Sequence, residues 1–373
     1  MPGLRPDVDP DGLLEYSVVF TDRSLNHMSQ RFQQVMRDIS STMREIYGAD
    51  HVAVVPGGGT YAMEAVARQF ATDRKALVVR NGFFSFRWSQ ILDAGRIASA
   101  ARVLMAQPVE ARKFAPFAPA SLADIQQAIH EERPAIVFAP HVETASGILL
   151  PEAYVRGIAD ATHAVGGLFV LDCIASGALW VDMRATGVDI LISAPQKGWS
   201  GSPCAGLVMM NARAGDELAR TSSTSFALDL RKWNDIMRAY EKGGHAYHAT
   251  MPTDGLRTFR DACNETRHFG FERARQAQLE LGSRVRNLLA QNGYVSVAAP
   301  GFEAPGVVVS YTDDSALAGK FLGAGVQVAA GVPLQCNEPD WFSTFRIGLF
   351  GLDKLADVGA AIDRLQAALP RPA

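Results

Sequence analysis

The chain has 373 residues, of which 48% are apolar and 20% charged, with a formal net charge of −3. That length accommodates two domains, and the near-neutral balance excludes the concentrated basic stripe of a nucleic-acid binder. The longest apolar runs, such as "GGLFVLD" and "GVVVSY", fall far short of the ~20 residues that cross a bilayer, so no membrane span is expected.

In chain order, residues 1–12 carry prolines and aspartates without the apolar centre of a signal peptide, which predicts a cytoplasmic protein. Met28, Phe32, Val35, Ile39, Met43 and Ile46 recur at spacings of three and four, predicting an amphipathic helix over 27–47 with Asn26 as its N-cap. From His51 to Met210, the runs "VAVV", "ALVV", "ARVLM", "AIVFA", "LFVLD", "DILIS" and "AGLVMM" alternate with helix-length segments. This rhythm predicts an α/β fold with a mostly parallel seven-stranded sheet, whose ligands bind beyond the carboxyl ends of the strands. After Pro252 the pattern predicts one long helix to about residue 289. The runs "YVSVAA", "GVVVSY", "VQVAA" and "FRIGL" follow, with a helical "SALAGKFLG" among them and a closing helix over 352–369. This reads as a smaller α+β domain. The expected division is an N-terminal segment and substrate loop over 1–25, a large domain over 26–255 and a small domain over 256–373.

Three strand ends carry the candidate chemistry. "VAVVPGGGTYAMEA" runs from strand through Gly57, Gly58 and Gly59 into a helix, where converging backbone N–H groups and the helix dipole suit a phosphate at Gly58, Gly59 and Thr60. A plain turn would select the same glycines. Gly57, Gly59 and Ala62 also satisfy the loose dinucleotide pattern G-x-G-x-x-A, with Arg80 ending the next strand as a partner for a 2′-phosphate, so an NADP enzyme stays open. Asp172 ends "LFVLD", either to pair with a protonated ligand nitrogen or to cap the following turn. Lys197 sits in "SAPQKGWSG", a loop shaped by Pro195, Gly198 and Gly201, where partial burial lowers an amine's proton affinity and readies it to attack an aldehyde. A phosphate cradle, a carboxylate and a lysine on one sheet edge match the three handles of pyridoxal 5′-phosphate. Cys173, Cys204, Cys263 and Cys336 contain no C-x-x-C pair and the eight histidines no H-E-x-x-H, so neither a disulfide framework nor a metal site is expected.

With these residues in view, the chain resembles the class V, fold-type I pyridoxal-phosphate aminotransferases, in particular the alanine–glyoxylate/serine–pyruvate group. Nine segments carry the resemblance in order: "NHMSQRFQQVM", "PGGGTYAMEA", "RNGFFSFRW", "HVETASGILLP", "LDCIASG", "SAPQKGW", "FALDLRKW", "YHATMP" and "FRIGLFG". The resemblance implies a transaminase that moves an amino group from a small amino acid to a small 2-oxo acid by a ping-pong route through a Schiff base on Lys197. By the same resemblance, Lys197 is also the proton carrier and Asp172 the partner of the pyridine nitrogen. Phe84 would stack on the ring where the family usually has tryptophan, and Ile174 would pack on its other face. Gly58, Gly59, Thr60 and Gln196 would hold the phosphate, and Thr144 would lie near the phenolic oxygen. Arg346 would bind the substrate carboxylate. Tyr247 and Thr250 would reach the phosphate in the other subunit of a homodimer. The stretch "EYSVVFTDRSLNH" departs from the family's "GPGP"-like loop, so Phe20, Thr21 and Arg23 would reshape the substrate pocket. A cysteine desulfurase or related lyase of the same fold is the alternative, with Cys336 upstream of Arg346 as its thiol.

Overall fold

The computed structural model describes residues 7–370. The ends of the expected first and last segments, 1–6 and 371–373, lie outside the described residues.

All seven apolar runs form one sheet. Its strands are β1 (His51–Pro56), β2 (Lys75–Arg80), β3 (Ala100–Met105), β4 (Ile136–Pro140), β5 (Leu168–Asp172), β6 (Ile190–Ser193) and β7 (Ala205–Met210). Their spatial order is β1-β7-β6-β5-β4-β2-β3. The pairs β2–β3, β2–β4, β4–β5 and β5–β6 are parallel, and only β7 runs against its neighbours. Strands β4 to β7 are buried along their whole length. Covered on both faces, they read as continuous apolar runs instead of alternating ones, which is why the sequence marks them so clearly.

Helix α1 (Gln30–Tyr47) buries Phe32, Val35, Met36, Ile39, Met43 and Tyr47 along one face. Its N-cap is Ser29, whose hydroxyl accepts from the Phe32 N–H at 3.1 Å, not Asn26. Asn26 instead accepts from the Met28 N–H and donates to Glu15, so it serves the loop before the helix. The predicted long helix is two, α4 (Thr253–Phe269) and α5 (Phe271–Gln291), parted at Gly270, whose φ of 98° takes the chain out of helical geometry. Helices α2 (Gly59–Phe70) and α3 (Phe83–Ala94) follow β1 and β2.

A second sheet pairs β8 (Val307–Tyr311), β10 (Thr344–Gly348) and β9 (Ala329–Ala330) antiparallel, in that order. The run "YVSVAA" makes only isolated bridges, Ser296 to Ser310 and Ala298 to Phe117, because its two halves pair with different parts of the molecule. The closing helix is also split, into Leu352–Leu355 and Val358–Ala368, the latter capped by Asp357.

Leu256, Phe259 and Cys263 of α4 pack in the core around the seven-stranded sheet. Leu281, Val285 and Leu289 of α5 pack with Phe321, Phe345, Ile347 and Ile362 in a separate core. Along the chain, α4 keeps its apolar face against the first core and α5 turns its own to the second. No helix among the described residues is long and apolar enough to cross a membrane.

Candidate active site

The carboxyl ends of β4, β5 and β6 and the N-terminus of α2 enclose a cavity of about 200 Å³. Lys197 enters it from the loop after β6. That loop is pinned on both sides: the Gly201 N–H donates to Pro195 O at 2.8 Å, the Ser200 N–H to Lys197 O at 2.9 Å, and the Trp199 indole to Tyr47 Oη at 3.3 Å. Gly198 lies so close to the backbone of Gly177 that a Cβ there would meet the Gly177 carbonyl carbon at 2.6 Å. A lysine in this setting is held, not swung in water. Burial lowers its proton affinity, opposed by Asp172 and Glu143 and assisted by Arg346 and Arg87.

Asp172 ends β5, the strand beside β6. Its Oδ1 accepts from the Ile174 N–H at 2.9 Å, so it does cap the turn, and it lines the cavity as well. Burial pushes its carboxyl up to about 6, with the Ile174 hydrogen bond and the Lys197 charge pulling the other way.

At the start of α2, Gly58 is the N-cap and offers no side chain to the first-turn N–H groups, and no acidic residue stands among them. Such a helix end is suited to an anion. Gly59 is required by space: a Cβ would meet Ile174 Cγ1 at 2.9 Å. The Thr60 hydroxyl accepts from Arg87 Nη1 at 2.9 Å. Phe84, in the first turn of α3, forms another wall. Lys197 Nζ stands 5.6 Å from its ring centroid, and the guanidinium carbons of Arg87 and Arg346 stand at 4.9 and 5.7 Å. Thr144 contributes a buried hydroxyl with no hydrogen-bond partner among the described residues. Arg346, on β10 of the second sheet, ties its Nε to Ala330 O at 2.9 Å.

One cavity thus brings together Gly59, Thr60, Phe84, Thr144, Asp172, Ile174, Gln196 and Lys197, with Gly58 at its rim and Arg346 near Phe84. Two charged neighbours escaped the sequence reading, Arg87 and Glu143, as did the apolar lining residues Met63, Val142 and Ala175. Arg87 had a signal, since it lies three residues after Phe84 and so on the same helix face. Glu143 had none. Within one chain, the remaining candidates lie elsewhere. Tyr247 and Thr250 bond each other at 3.1 Å. The rings of Phe20 and Tyr247 lie 5.6 and 5.5 Å from His27, and Thr21 and Arg23 are exposed beside them.

Residues 13–343 match the family model for class-V aminotransferases. The chain belongs to this family. The aminotransferase is 30% identical over 353 residues to the 2-aminoethylphosphonate–pyruvate transaminase of Burkholderia pseudomallei, covering 91% of this chain and 90% of that one. It is 24% identical over 277 residues to the alanine–glyoxylate aminotransferase of Rattus norvegicus, covering 73% of this chain and 64% of the rat enzyme. In fold it is similar to the alanine–glyoxylate aminotransferase of Nostoc sp., with a TM-score of 0.78 at 24% identity, covering 92% and 87% of the two chains.

The family depends on pyridoxal 5′-phosphate, and the residues present fit it. The uncapped start of α2 suits its phosphate, Asp172 its ring nitrogen, Lys197 its aldehyde, and the unpartnered Thr144 hydroxyl has room for a ligand oxygen. The two competing readings lose their key residues in this aminotransferase. The Arg80 guanidinium is buried, donating to Gln335 O and Ser89 Oγ at 2.9 Å each and lying on the Phe86 ring, so it has no free fork for a 2′-phosphate. Cys336 is buried against Arg80 O, and burial pushes its thiol up to about 12, far from a ready nucleophile.

Proposed function

We propose that this transaminase moves the amino group of a small amino acid to a small 2-oxo acid of the glyoxylate or pyruvate type, with Lys197 and Asp172 as its catalytic residues. The observation that carries the reading is their placement on adjacent strand ends, facing one cavity with the uncapped helix of Gly58 to Thr60. Bound pyridoxal 5′-phosphate supplies an aldehyde that bonds to amines and a ring that withdraws electrons from the substrate's α-carbon. Asp172, ionised above about pH 6, holds a proton at the ring nitrogen. Lys197, its charge disfavoured by burial, takes the proton from the substrate's α-carbon and returns it. Phe84 and Ile174 clamp the ring, Gln196 and Thr60 reach the phosphate, and Arg346 takes the substrate's carboxylate as a bidentate fork.

The same proposal includes a homodimer. Leu13, Tyr16, Val18 and Phe226 are 80% or more exposed, with Tyr61 and Tyr247 about half exposed, an apolar surface that a second copy would cover. Tyr247 and Thr250 then enter the partner's site, and Phe20, Thr21 and Arg23 travel with them through the His27 cluster to shape the pocket. We place the boundary between large and small domains at Gly270. Four unpaired cysteines support a reducing, cytoplasmic location.

A second donor class, aminoalkylphosphonates, is favoured by the Burkholderia relative, since an arginine fork receives phosphonate as well as carboxylate. A panel of amino acids and aminophosphonates mixed with the purified holoenzyme tests both, following conversion of the cofactor's aldehyde form to its amine form. Turnover by Lys197→Ala at the parent's rate would overturn the proposal.

A further inference from the structure

Glu143 is fully buried, and it has no ion-pair partner among the described residues. Instead its two oxygens collect donors from two chain segments. Oε1 accepts from the N–H of Phe84 at 3.2 Å and of Ala145 at 2.9 Å; Oε2 accepts from the Ser85 N–H at 2.8 Å and lies 2.7 Å from Ser85 Oγ. The N-cap of α3 is Gly82, which has no side chain to satisfy these first-turn groups. Glu143 therefore caps α3 from another part of the chain. Gly82 makes room for it, since a Cβ there would meet Glu143 Cγ at 2.7 Å. A second tie, from Ser146 Oγ to Asn81 O at 2.8 Å, joins the same two segments.

The carboxylate does not line the cavity. Its neighbours do: Phe84 is the ring wall and Thr144 the next residue in the chain. We propose that Glu143 is a positioning residue of this active site, fixing Phe84 and Thr144 relative to one another and supplying the buried negative charge against which Lys197 and Arg346 are set. The first half of this rests on the reading of the cavity as the cofactor site; the second does not. The charged groups acting on Lys197 are Asp172 and Glu143, which favour its ammonium, and Arg346 and Arg87, which oppose it. Burial lowers the proton affinity of Arg346, opposed by Glu143; Lys197 Nζ and the Arg346 guanidinium carbon stand 5.6 and 5.7 Å from the ring of Phe84, the residue whose N–H Glu143 holds. Loss of the Glu143 charge removes one of two carboxylates from this balance and leaves both arginines.

The test uses the full-length apoprotein and a small amine-acylating reagent, with modification at Lys197 followed by peptide mass against pH. In Glu143→Gln the pH midpoint for Lys197 falls by about half a unit or more, and the dissociation constant for pyridoxal 5′-phosphate rises at least about tenfold. A Gln variant that melts earlier yet keeps the parent's Lys197 midpoint overturns the proposal, because a purely architectural residue would behave that way. Should the Gln variant not accumulate as folded protein, Glu143→Asp decides. It keeps the charge but draws back from the Phe84 and Ser85 N–H groups, so cofactor binding weakens while the Lys197 midpoint stays near the parent's; unchanged cofactor affinity overturns the proposal. If the parent itself takes up no cofactor, the site reading fails, and the Lys197 midpoints still decide the role of the Glu143 charge.

Discussion

The lysine loop stands or falls on Gly198. Replacing it with alanine drives a methyl group into the backbone of Gly177, at 2.6 Å from the carbonyl carbon and 2.9 Å from Cα. Backbone cannot rotate aside as a side-chain tip does, so the cost lies at the upper end of the ~1–3 kcal/mol typical of overpacking. At ~2 °C per kcal/mol for a protein of this size, the melting temperature drops by roughly 5 °C. The larger effect is on chemistry. The loop yields by moving outward, Lys197 moves with it, and a displacement of ~1 Å costs on the order of 10²-fold in rate. Differential scanning fluorimetry reads the first effect and single-turnover conversion of the cofactor by a reactive donor reads the second. Gly319→Ala is the control: it lies within the helix Leu317–Gly323, outside the cavity lining, and nothing lies within 4 Å of the added carbon. Gly198→Ala with the parent's melting temperature and rate would refute the argument.

Asp172 gives the apoprotein a pH dependence of definite sign. Its folded pKa, about 6, lies above the ordinary value of 3.8, so the stability it contributes is whole below about pH 4 and is lost as pH rises through 6. The loss is on the order of 3 kcal/mol; urea unfolding of parent and Asp172→Asn between pH 4 and 7 should show the parent losing stability relative to the variant. Arg87→Gln should weaken pyridoxal 5′-phosphate binding while leaving phosphate-free pyridoxal nearly unaffected; fluorescence titration that finds equal losses would remove Arg87 from the phosphate end of the site. Arg346→Lys should lower kcat/KM by about 10- to 100-fold, since a lysine cannot copy the planar fork, and steady-state assays with an amino-acid donor check it.

Much of this architecture was legible from residue order alone because the central strands β4 to β7 are covered on both faces. Desolvation writes itself into such segments as unbroken apolar runs. The ends of those strands were legible for the same reason, which is how Asp172 and Lys197 stood out. Local features that depend on competition between similar residues were harder: Asn26 and Ser29 are both good caps, and only the loop's demand on Asn26 decides between them. The break at Gly270 was hidden because helical periodicity continues on both sides of it. Glu143 was illegible, since nothing nearby in sequence distinguishes a carboxylate that receives four donors in the interior from one that faces water. The separation of Phe20, Thr21 and Arg23 from the Lys197 cavity also escaped the reading, because linear order does not say which copy a segment serves; for Tyr247 and Thr250 only the family resemblance pointed to the other subunit.

Arg346 hangs from the second sheet, whereas the amine and the carboxylate proposed to carry the chemistry hang from the first. In the proposed mechanism, recognition and reactivity are thus housed in separately packed bodies. Drift in the C-terminal layer can retune which acid is admitted without disturbing proton transfer, giving evolution two nearly independent dials on one catalyst.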